Sequence, residues 1–260
     1  MNHKEIAKSK IPLMLRELCL PTFGKLWEDY SEQADSEGWG SARLLAVLCE
    51  QELDGRDSRR LQRHLKESGL SKGKTLSSFN FGYLPMLNKT HICTIATGDT
   101  WISQGSNVLI FGPSGVGKTH LANAMGIELI QNEHRVLFTR TTELVQKLQL
   151  AKQNLSLPTA LSKLDKYDCI ILDDFGYVQK NQHETSVLFE LIADRYERKS
   201  MIITCNQPFG EWDNIFQDKT MAVAAIDRLV HHSRIIQINA ESYRKTNAFK
   251  KMSEDKREEC

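Results

Sequence analysis

The chain reads VLIFGPSGVGKT from Val108 to Thr119, an apolar run followed by a glycine-rich loop. The second part completes the phosphate-loop pattern G-x-x-x-x-G-K-[ST]. Its residues are Gly112, Pro113, Ser114, Gly115, Val116, Gly117, Lys118 and Thr119, with His120 directly behind them. In such a loop backbone N–H groups surround the phosphates, the lysine adds charge for the β- and γ-phosphates, and the hydroxyl can ligate Mg²⁺. We therefore expect binding of a nucleoside triphosphate, in preference to a purely structural glycine turn.

The segments on either side of this loop have the patterns that it requires. Val108 to Phe111 is uniformly apolar, which is typical of a buried strand. Apolar residues then recur at helical spacing from Leu121 to Leu129. A helix that begins at the loop directs the positive end of its dipole towards a bound anion. The flanks therefore favour the nucleotide-binding interpretation.

Four more apolar runs follow at intervals of roughly 30 residues, the length of one βαβ unit. They start at Val136, Cys169, Met201 and Arg234. Amphipathic helices are predicted between them, one marked by Leu144, Leu148, Ala151 and Leu155 and another by Leu188, Leu191, Ile192 and Tyr196. Short apolar strands joined by helices predict a five-stranded parallel sheet covered on both faces, a three-layer α/β fold. The loop then lies at the carboxyl end of a strand.

Two carboxylates end the third apolar run, which reads CIILDD from Cys169 to Asp174. A parallel strand places its terminal acid at the sheet edge where the loop lies. Asp173 is expected in the Mg²⁺ shell, through water. Asp174 is expected to orient or deprotonate the attacking water. Alone, the pair would indicate a turn that caps a strand, but the upstream phosphate loop favours the Mg²⁺ role.

Two polar residues further along fit the same site. Asn206 follows the fourth run and could contact the γ-phosphate or the attacking water, although asparagine is also common in turns. Arg228 ends a helix pattern. It could pair locally with Asp227, or it could reach a neighbouring subunit's γ-phosphate as an arginine finger.

The N-terminal part has a different character. Residues 1–75 are predicted to form a helical domain, and residues 76–260 the nucleotide-binding domain. One helix is predicted from Ile11 through Tyr30 and a second from Ser41 to Leu70. Between Arg56 and Lys74, seven basic and two acidic residues give a local charge of 7 − 2 = +5. The candidates for contact with a DNA backbone are Arg56, Arg59, Arg60, Arg63 and Lys66; a solvated helix face is the alternative.

The overall composition excludes several classes of protein. With 40% hydrophobic and 26% charged residues and a net charge of +1, the chain is typical of a soluble globular protein. It lacks an apolar stretch of the ~20 residues that a membrane span needs, and its lysine-rich start lacks a signal-peptide core. We therefore expect a cytoplasmic protein without membrane contact. The six cysteines are scattered without zinc spacing, and the pair His231-His232 favours a helix surface over a metal site.

Taken together, these motifs resemble the IstB-type ATPases, helper proteins of bacterial insertion sequences. That group belongs to the AAA+ superfamily and is similar to the DnaC helicase loaders and DnaA initiators. The resemblance covers nearly the whole chain. Its matching blocks are the Phe79-Asn80-Phe81 segment, GPSGVGKTHLA from Gly112, ILDDFGY from Ile171, ITCNQPFGEW from Ile203, DRLVHHS from Asp227 and ESYR from Glu241. The phosphate loop alone is generic, whereas the acid pair, the Asn-Gln-Pro-Phe block and the Asp-Arg-Leu-x-His-His block are specific together.

The resemblance implies ATP and Mg²⁺ as cofactors. It implies that Lys118 and Thr119 contact phosphate and Mg²⁺, with Asp173 in the Mg²⁺ shell and Asp174 as the second acid. It further implies Asn206 as first sensor and Arg228 as the finger that acts in trans. Superfamily members more often carry Glu at the Asp174 position. The residues after Arg244 are too few for a helical lid, so Arg244 would at most partly replace a second sensor.

For the whole protein, the resemblance implies an ATPase that oligomerises with ATP around double-stranded DNA, without sequence preference. Its other partner would be the transposase of the same element, whose target capture it assists. The alternative is a DnaC-like loader of a replicative helicase. Loaders tend to place aromatic residues along single strands, and none lies between Arg56 and Lys74. A metabolic kinase is the third possibility, but the sequence shows no substrate pocket or lid.

Overall fold

The five apolar runs form the strands of one parallel sheet in the computed structural model. The strands are β1 (Val108–Phe111), β2 (Val136–Arg140), β3 (Cys169–Asp173), β4 (Ser200–Cys205) and β5 (Arg234–Gln237). Their order across the sheet is β2-β3-β4-β1-β5, and each neighbouring pair is parallel. The predicted five-stranded parallel α/β architecture is confirmed.

The structure describes residues 8–98, 100–176, 182–207, 211–212, 219–240 and 242–243. By contacts the chain divides into two units, Met1–Arg63 and His64–Cys260. The division falls earlier in the chain than the expected boundary between residues 75 and 76, which stays a prediction. Among the described residues, no helix has both the length and the apolar character to cross a membrane.

The first unit is helical. It contains a 3₁₀ turn (Lys8–Lys10), α1 (Ile11–Glu17), α2 (Phe23–Glu37) and most of α3 (Ser41–Glu67). The single helix predicted from Ile11 through Tyr30 is wrong, because the chain breaks between α1 and α2. Cys19 adopts a left-handed φ of 56° there, and Pro21 lacks the N–H that a continuous helix needs.

Glu52 on α3 holds this unit together. It is buried, and its carboxylate accepts hydrogen bonds from the Thr22 and Phe23 N–H groups at 2.7 and 3.0 Å. These are donors at the start of α2, which no carbonyl within that helix can satisfy. Arg56 and Arg59 pair with the same carboxylate at 3.1 and 2.9 Å. A single buried acid therefore caps one helix and fixes it to another.

The second unit surrounds the sheet with helices. They are α4 (Lys89–Thr97), α5 (Lys118–Gln131), α6 (Thr141–Gln153), α7 (Leu157–Asp165), α8 (Gln182–Arg195) and α9 (Lys219–Val230), and a 3₁₀ turn (Phe81–Tyr83) precedes α4. Alternate strand residues point to opposite faces. Leu109, Leu172 and Ile203 pack with α6, α8 and α9 in one apolar core. Ile171, one residue from Leu172, lies against α5 at Gly126. These two faces give the predicted three layers.

Helix ends account for the remaining differences from the sequence. The pattern through Leu155 predicts one helix, but α6 ends at Gln153 and α7 begins at Leu157. Leu155 has a left-handed φ of 53° and is 93% exposed, so it belongs to a turn. The helix expected to reach Leu70 ends at Glu67, before Gly69, which has a left-handed φ of 72°.

Two cysteines lie inside the sheet, as the apolar runs predict. Cys169 and Cys205 are fully buried. Burial raises the pKa of the Cys169 thiol to about 12 and also raises that of Cys205. Both side chains therefore remain neutral thiols and pack as small hydrophobic groups.

Candidate nucleotide-binding site

The phosphate loop connects β1 to α5 and needs its glycines for their backbone angles. Gly112, Gly115 and Gly117 have φ values of 153°, 84° and 102°, a region that residues with a Cβ rarely adopt. At Gly112 space is also limiting, because a Cβ would lie 2.4 Å from the Ile238 carbonyl oxygen. The three glycines therefore permit backbone angles, and at Gly112 a close approach, that residues with a Cβ would obstruct.

Lys118 begins α5 and turns its side chain back across the loop. Its Nζ donates to the carbonyl oxygens of Gly112 and Pro113, both at 2.8 Å. The residue is only 5% exposed. Its positive charge is thus held at the centre of the loop, where the first N–H groups of α5 also converge.

A buried hydroxyl and carboxylate meet beside the lysine. Thr119 donates to Asp173 at 3.0 and 3.1 Å to the two carboxylate oxygens. Asp173 is buried and also accepts a 2.6 Å hydrogen bond from the Thr204 hydroxyl of β4. Hard oxygen donors of this kind are the ligands that Mg²⁺ prefers. Thr119 and Asp173 therefore fit a Mg²⁺ ion bound together with phosphates.

Asp174 directly follows β3 and has a left-handed φ of 56°. Its N–H donates to the Thr204 hydroxyl at 3.0 Å. Thr204 therefore bridges the two acids, since it donates to the Asp173 side chain and accepts from the Asp174 backbone. Asn206 follows β4, and both Asp174 and Asn206 line the cleft above the phosphate loop.

That cleft has a volume of about 730 Å³. Its polar side contains Ser114, Lys118, Thr119, Lys74 and Arg140. The lining thus has three positively charged side chains against one carboxylate, that of Asp174. Such a balance suits a polyphosphate. The cleft is therefore large and cationic enough for a nucleoside triphosphate.

The other side of the cleft is aromatic. Phe79, Tyr83, Tyr243 and His120 contribute to it. The Phe79 ring is edge-on to His120 with centroids 5.2 Å apart. Nε2 of His120 lies 3.1 Å from the Ser78 hydroxyl and 3.2 Å from the Thr75 carbonyl oxygen. His120, predicted only as part of the loop motif, thus connects α5 to the segment that precedes α4.

Comparison with known proteins agrees with this geometry. The profile of a family described as IstB-like ATP binding protein matches residues 13–251. The chain belongs to this family. An insertion-sequence ATP-binding protein of Sinorhizobium fredii is 55% identical over 247 residues, 95% of this chain and 83% of that protein. The ATP-binding protein of insertion sequence IS21 of Pseudomonas aeruginosa is 38% identical over 217 residues, 84% of this chain and 82% of that protein.

Solved structures show the same fold. The match with the structure of the DnaC helicase loader has a TM-score of 0.54 at 19% identity. It covers 64% of this chain and 97% of the loader chain. The initiator DnaA, bound to AMPPCP and single-stranded DNA, has a TM-score of 0.55 at 19% identity, with 67% of this chain covered. The match spans about half of the DnaA chain, 52%. The IstB-like protein is therefore an ATP-binding P-loop protein with the fold of the AAA+ ATPases, as the sequence predicts.

Arg228 is not among the described residues that line the cleft of its own chain. It is on α9, where its guanidinium donates to the Ala224 carbonyl oxygen at 3.0 Å. It lies over the rings of Phe189 at 5.1 Å and Tyr196 at 6.0 Å. The side chains of Arg228 and Asp227 are both described, and they form no ion pair with each other. The local pairing that the sequence left open is therefore not formed.

The predicted DNA contacts on α3 differ in their surroundings. They are Arg56, Arg59, Arg60, Arg63 and Lys66. The first two pair with buried Glu52, and Arg60 pairs with Asp57 at 3.2 Å. Arg63 and Lys66 are exposed. The structure thus places all five on one helix, and their contact with DNA stays a prediction.

Some functional candidates were not singled out in the sequence, and others lie outside the described residues. Thr204 and Arg140 carry polar groups at or near the carboxyl ends of apolar strands, a signal that could have identified them. Arg140 is the register partner of Asp173. Arg244, the expected partial replacement for a second sensor, lies outside the described residues, as do Tyr177, Glu241 and residues 208–210 of the resemblance blocks.

Proposed function

We propose that this IstB-like protein is an ATP-dependent DNA-binding ATPase that assists transposition of an insertion sequence. It would assemble on double-stranded target DNA without sequence preference and recruit or activate the transposase of the same element. The family match carries the proposal, because the relatives that share most of this chain's length are ATP-binding proteins of insertion sequences. DNA and transposase binding extend beyond that match.

Within the cleft, each residue has a proposed part. Lys118 neutralises charge on the β- and γ-phosphates. Thr119 and Asp173 would hold Mg²⁺, which would supply positive charge against the negative charge that develops on the phosphates. Asp174 orients or deprotonates the attacking water. Asn206 contacts the γ-phosphate or that water. The left-handed Asp174 and its hydrogen bond to Thr204 support this assignment, because they fix the second acid at the cleft wall.

Arg228 is proposed to complete the site of a neighbouring subunit. Its position on α9, away from the cleft lining of its own chain, supports this role. Arginine provides a planar fork of donors that suits the developing charge on a γ-phosphate. Hydrolysis would then require an oligomer, which links ATP turnover to assembly on DNA.

The proposal is tested by measuring particle size and DNA binding together. Light-scattering chromatography would compare the full chain with an ATP analogue or ADP, on duplex and single-stranded DNA of equal length. We expect large assemblies on duplex that form with the ATP analogue and not with ADP, for unrelated duplex sequences alike. A preference for single strands would instead support a loader of a replicative helicase. A monomer indifferent to nucleotide would likewise favour the loader, and it would contradict the proposed role of Arg228.

A further inference from the structure

Three side chains with metal-binding atoms meet outside the nucleotide cleft. Glu197 follows α8, and His231 and His232 follow α9. One ligand atom from each lies within 4.8 Å of the others. The sequence alone favours a helix surface over a metal site for the histidine pair, and it identifies no third ligand for that pair. The fold supplies that ligand from another element.

Two tight turns create this cluster. Glu197 and His232 have left-handed φ values of 56° and 59°, which are uncommon for residues with a Cβ. The turns lie side by side because α8 and α9 pack against each other. The cluster therefore depends on the packing of two helices rather than on one flexible loop.

The distances are short enough for chelation after small side-chain movements. Nδ1 of His231 is 3.7 Å from the Glu197 carboxylate, and the two imidazole rings have centroids 3.9 Å apart. All three side chains are exposed, so they can rotate towards a common centre and a bound ion would keep water. Two imidazoles and one carboxylate form the three-ligand set of open zinc sites.

We propose that Glu197, His231 and His232 bind one divalent transition-metal ion of the Zn²⁺ type. Imidazole nitrogen suits zinc and its neighbours in the series, whereas Mg²⁺ prefers oxygen ligands. This site is thus distinct in chemistry and place from the Mg²⁺ position proposed at Thr119 and Asp173.

Tyr196 connects the metal site to Arg228. The Tyr196 hydroxyl lies 2.7 Å from Nδ1 of His231, so an ion bound at that nitrogen would displace it. The Tyr196 ring also lies under the Arg228 guanidinium. Metal binding would therefore change the surroundings of Arg228, an effect on hydrolysis that rests on the proposed function.

Calorimetric titration of the full chain with Zn²⁺ tests the site without ATP or DNA, so its result is independent of the proposed function. Excess Mg²⁺ would be present, and the exposed thiols, which include Cys19 and Cys49, would first be alkylated. We expect one equivalent to bind, and His231→Ala or His232→Ala to weaken binding by more than about tenfold.

Two further variants sharpen the result. His183→Ala removes an exposed histidine of α8 outside the cluster and should leave Zn²⁺ affinity unchanged. Tyr196→Phe removes the competing hydroxyl and should bind at least as tightly as the wild type. The proposal is overturned if the wild type binds no Zn²⁺, or if the His231, His232 and Glu197→Gln variants all bind it as the wild type does.

Discussion

Lys118 is the residue on which nucleotide binding depends most. Its ammonium is buried at the centre of the phosphate loop. Lys118→Ala should weaken ATP binding at least about tenfold, because a charge-assisted hydrogen bond to phosphate is lost. Fluorescent-nucleotide titration measures this directly. Lys147→Ala, which removes an exposed lysine of α6, is the matched control; equal affinities in all three proteins would refute the site.

Thr204 is expected to act on hydrolysis and not on ATP binding. Valine has the same shape but neither donates to Asp173 nor accepts from Asp174. Thr204→Val should therefore slow hydrolysis about 10–100-fold, the usual cost of losing a group that orients a ligand. Steady-state kinetics measures the hydrolysis rate, and a separate assay measures ATP affinity, which should not change. Thr204→Ser keeps the hydroxyl and should restore turnover. Wild-type turnover in the valine variant would remove Thr204 from the site.

The residues of the site were predictable to different degrees for a physical reason. Lys118, Thr119 and Asp173 belong to patterns within a few residues of chain, so spacing alone locates them. Thr204 and Arg140 acquire their roles from the register between strands, which a single sequence does not reveal. The position of Arg228 over two aromatic rings likewise depends on how α9 packs against α8.

At the scale of elements, α3 combines a structural half with an exposed basic end. Burial alone would raise the pKa of the Glu52 carboxyl, but hydrogen bonds from Phe23, Thr22 and two arginines outweigh it and hold that pKa below its ordinary value of 4.5. A depressed acid pKa contributes stability above the ordinary pKa and loses it as pH falls through the folded value. The helical unit should therefore weaken in acid.

Glu52→Gln tests this element. At neutral pH we expect a loss of about 1–3 kcal/mol, because donors at the start of α2 lose a charged acceptor. Hydrogen exchange at Thr22 and Phe23 should increase, and the difference from the wild type should vanish as pH falls through the folded pKa of Glu52. Glu50→Gln, at an exposed position of α3, is the control. Unchanged protection at neutral pH would contradict the capping role.

The basic end of α3 carries the expectation about DNA. Replacing exposed Arg63 and Lys66 by alanine should reduce the salt dependence of duplex binding by about 2 in log–log slope, since each lost phosphate contact contributes about 0.9. The pair Arg56→Ala with Arg59→Ala changes the net charge equally but should mainly weaken the cap at Glu52. Filter binding across a salt series measures the slope for the wild type and for both double variants. If the Arg63 and Lys66 double variant had the same slope as the wild type, this would count against a DNA contact at the basic end.

Elements were predicted well where burial dominates and poorly at their ends. All five strands lie where the apolar runs place them. The inner strands β1, β3 and β4 are buried along their whole length and are mostly apolar. The edge strands β2 and β5 are only partly buried. Helix ends depend on single residues in left-handed conformation, such as Cys19 and Leu155. Helical spacing continues through such residues in the sequence, so apolar periodicity alone misses the breaks after α1 and α6. Pro21 was the one signal in the sequence for the first break.

At the scale of the whole molecule, the proposed role of Arg228 requires a site shared between subunits. In one chain, Asp174 and Asn206 line the cleft with the phosphate loop, and Asp173 accepts hydrogen bonds from Thr119 of that loop. Arg228, on α9, is not among the described residues that line this cleft. Arg228→Ala should thus bind ATP normally but hydrolyse it about 10³-fold more slowly or worse, the usual effect of losing an arginine finger.

Mixing two inactive variants on duplex DNA tests this most directly. In an equal mixture, the Arg228→Ala chain supplies an intact phosphate loop and the Lys118→Ala chain supplies an intact Arg228. These two intact parts face each other at about a quarter of randomly formed interfaces. With co-assembly verified by capture of one tagged variant, we predict that hydrolysis returns to a comparable fraction of wild-type activity. Co-assembled mixtures that stay inactive, or an Arg228→Ala protein that hydrolyses ATP normally alone, would contradict a site completed in trans.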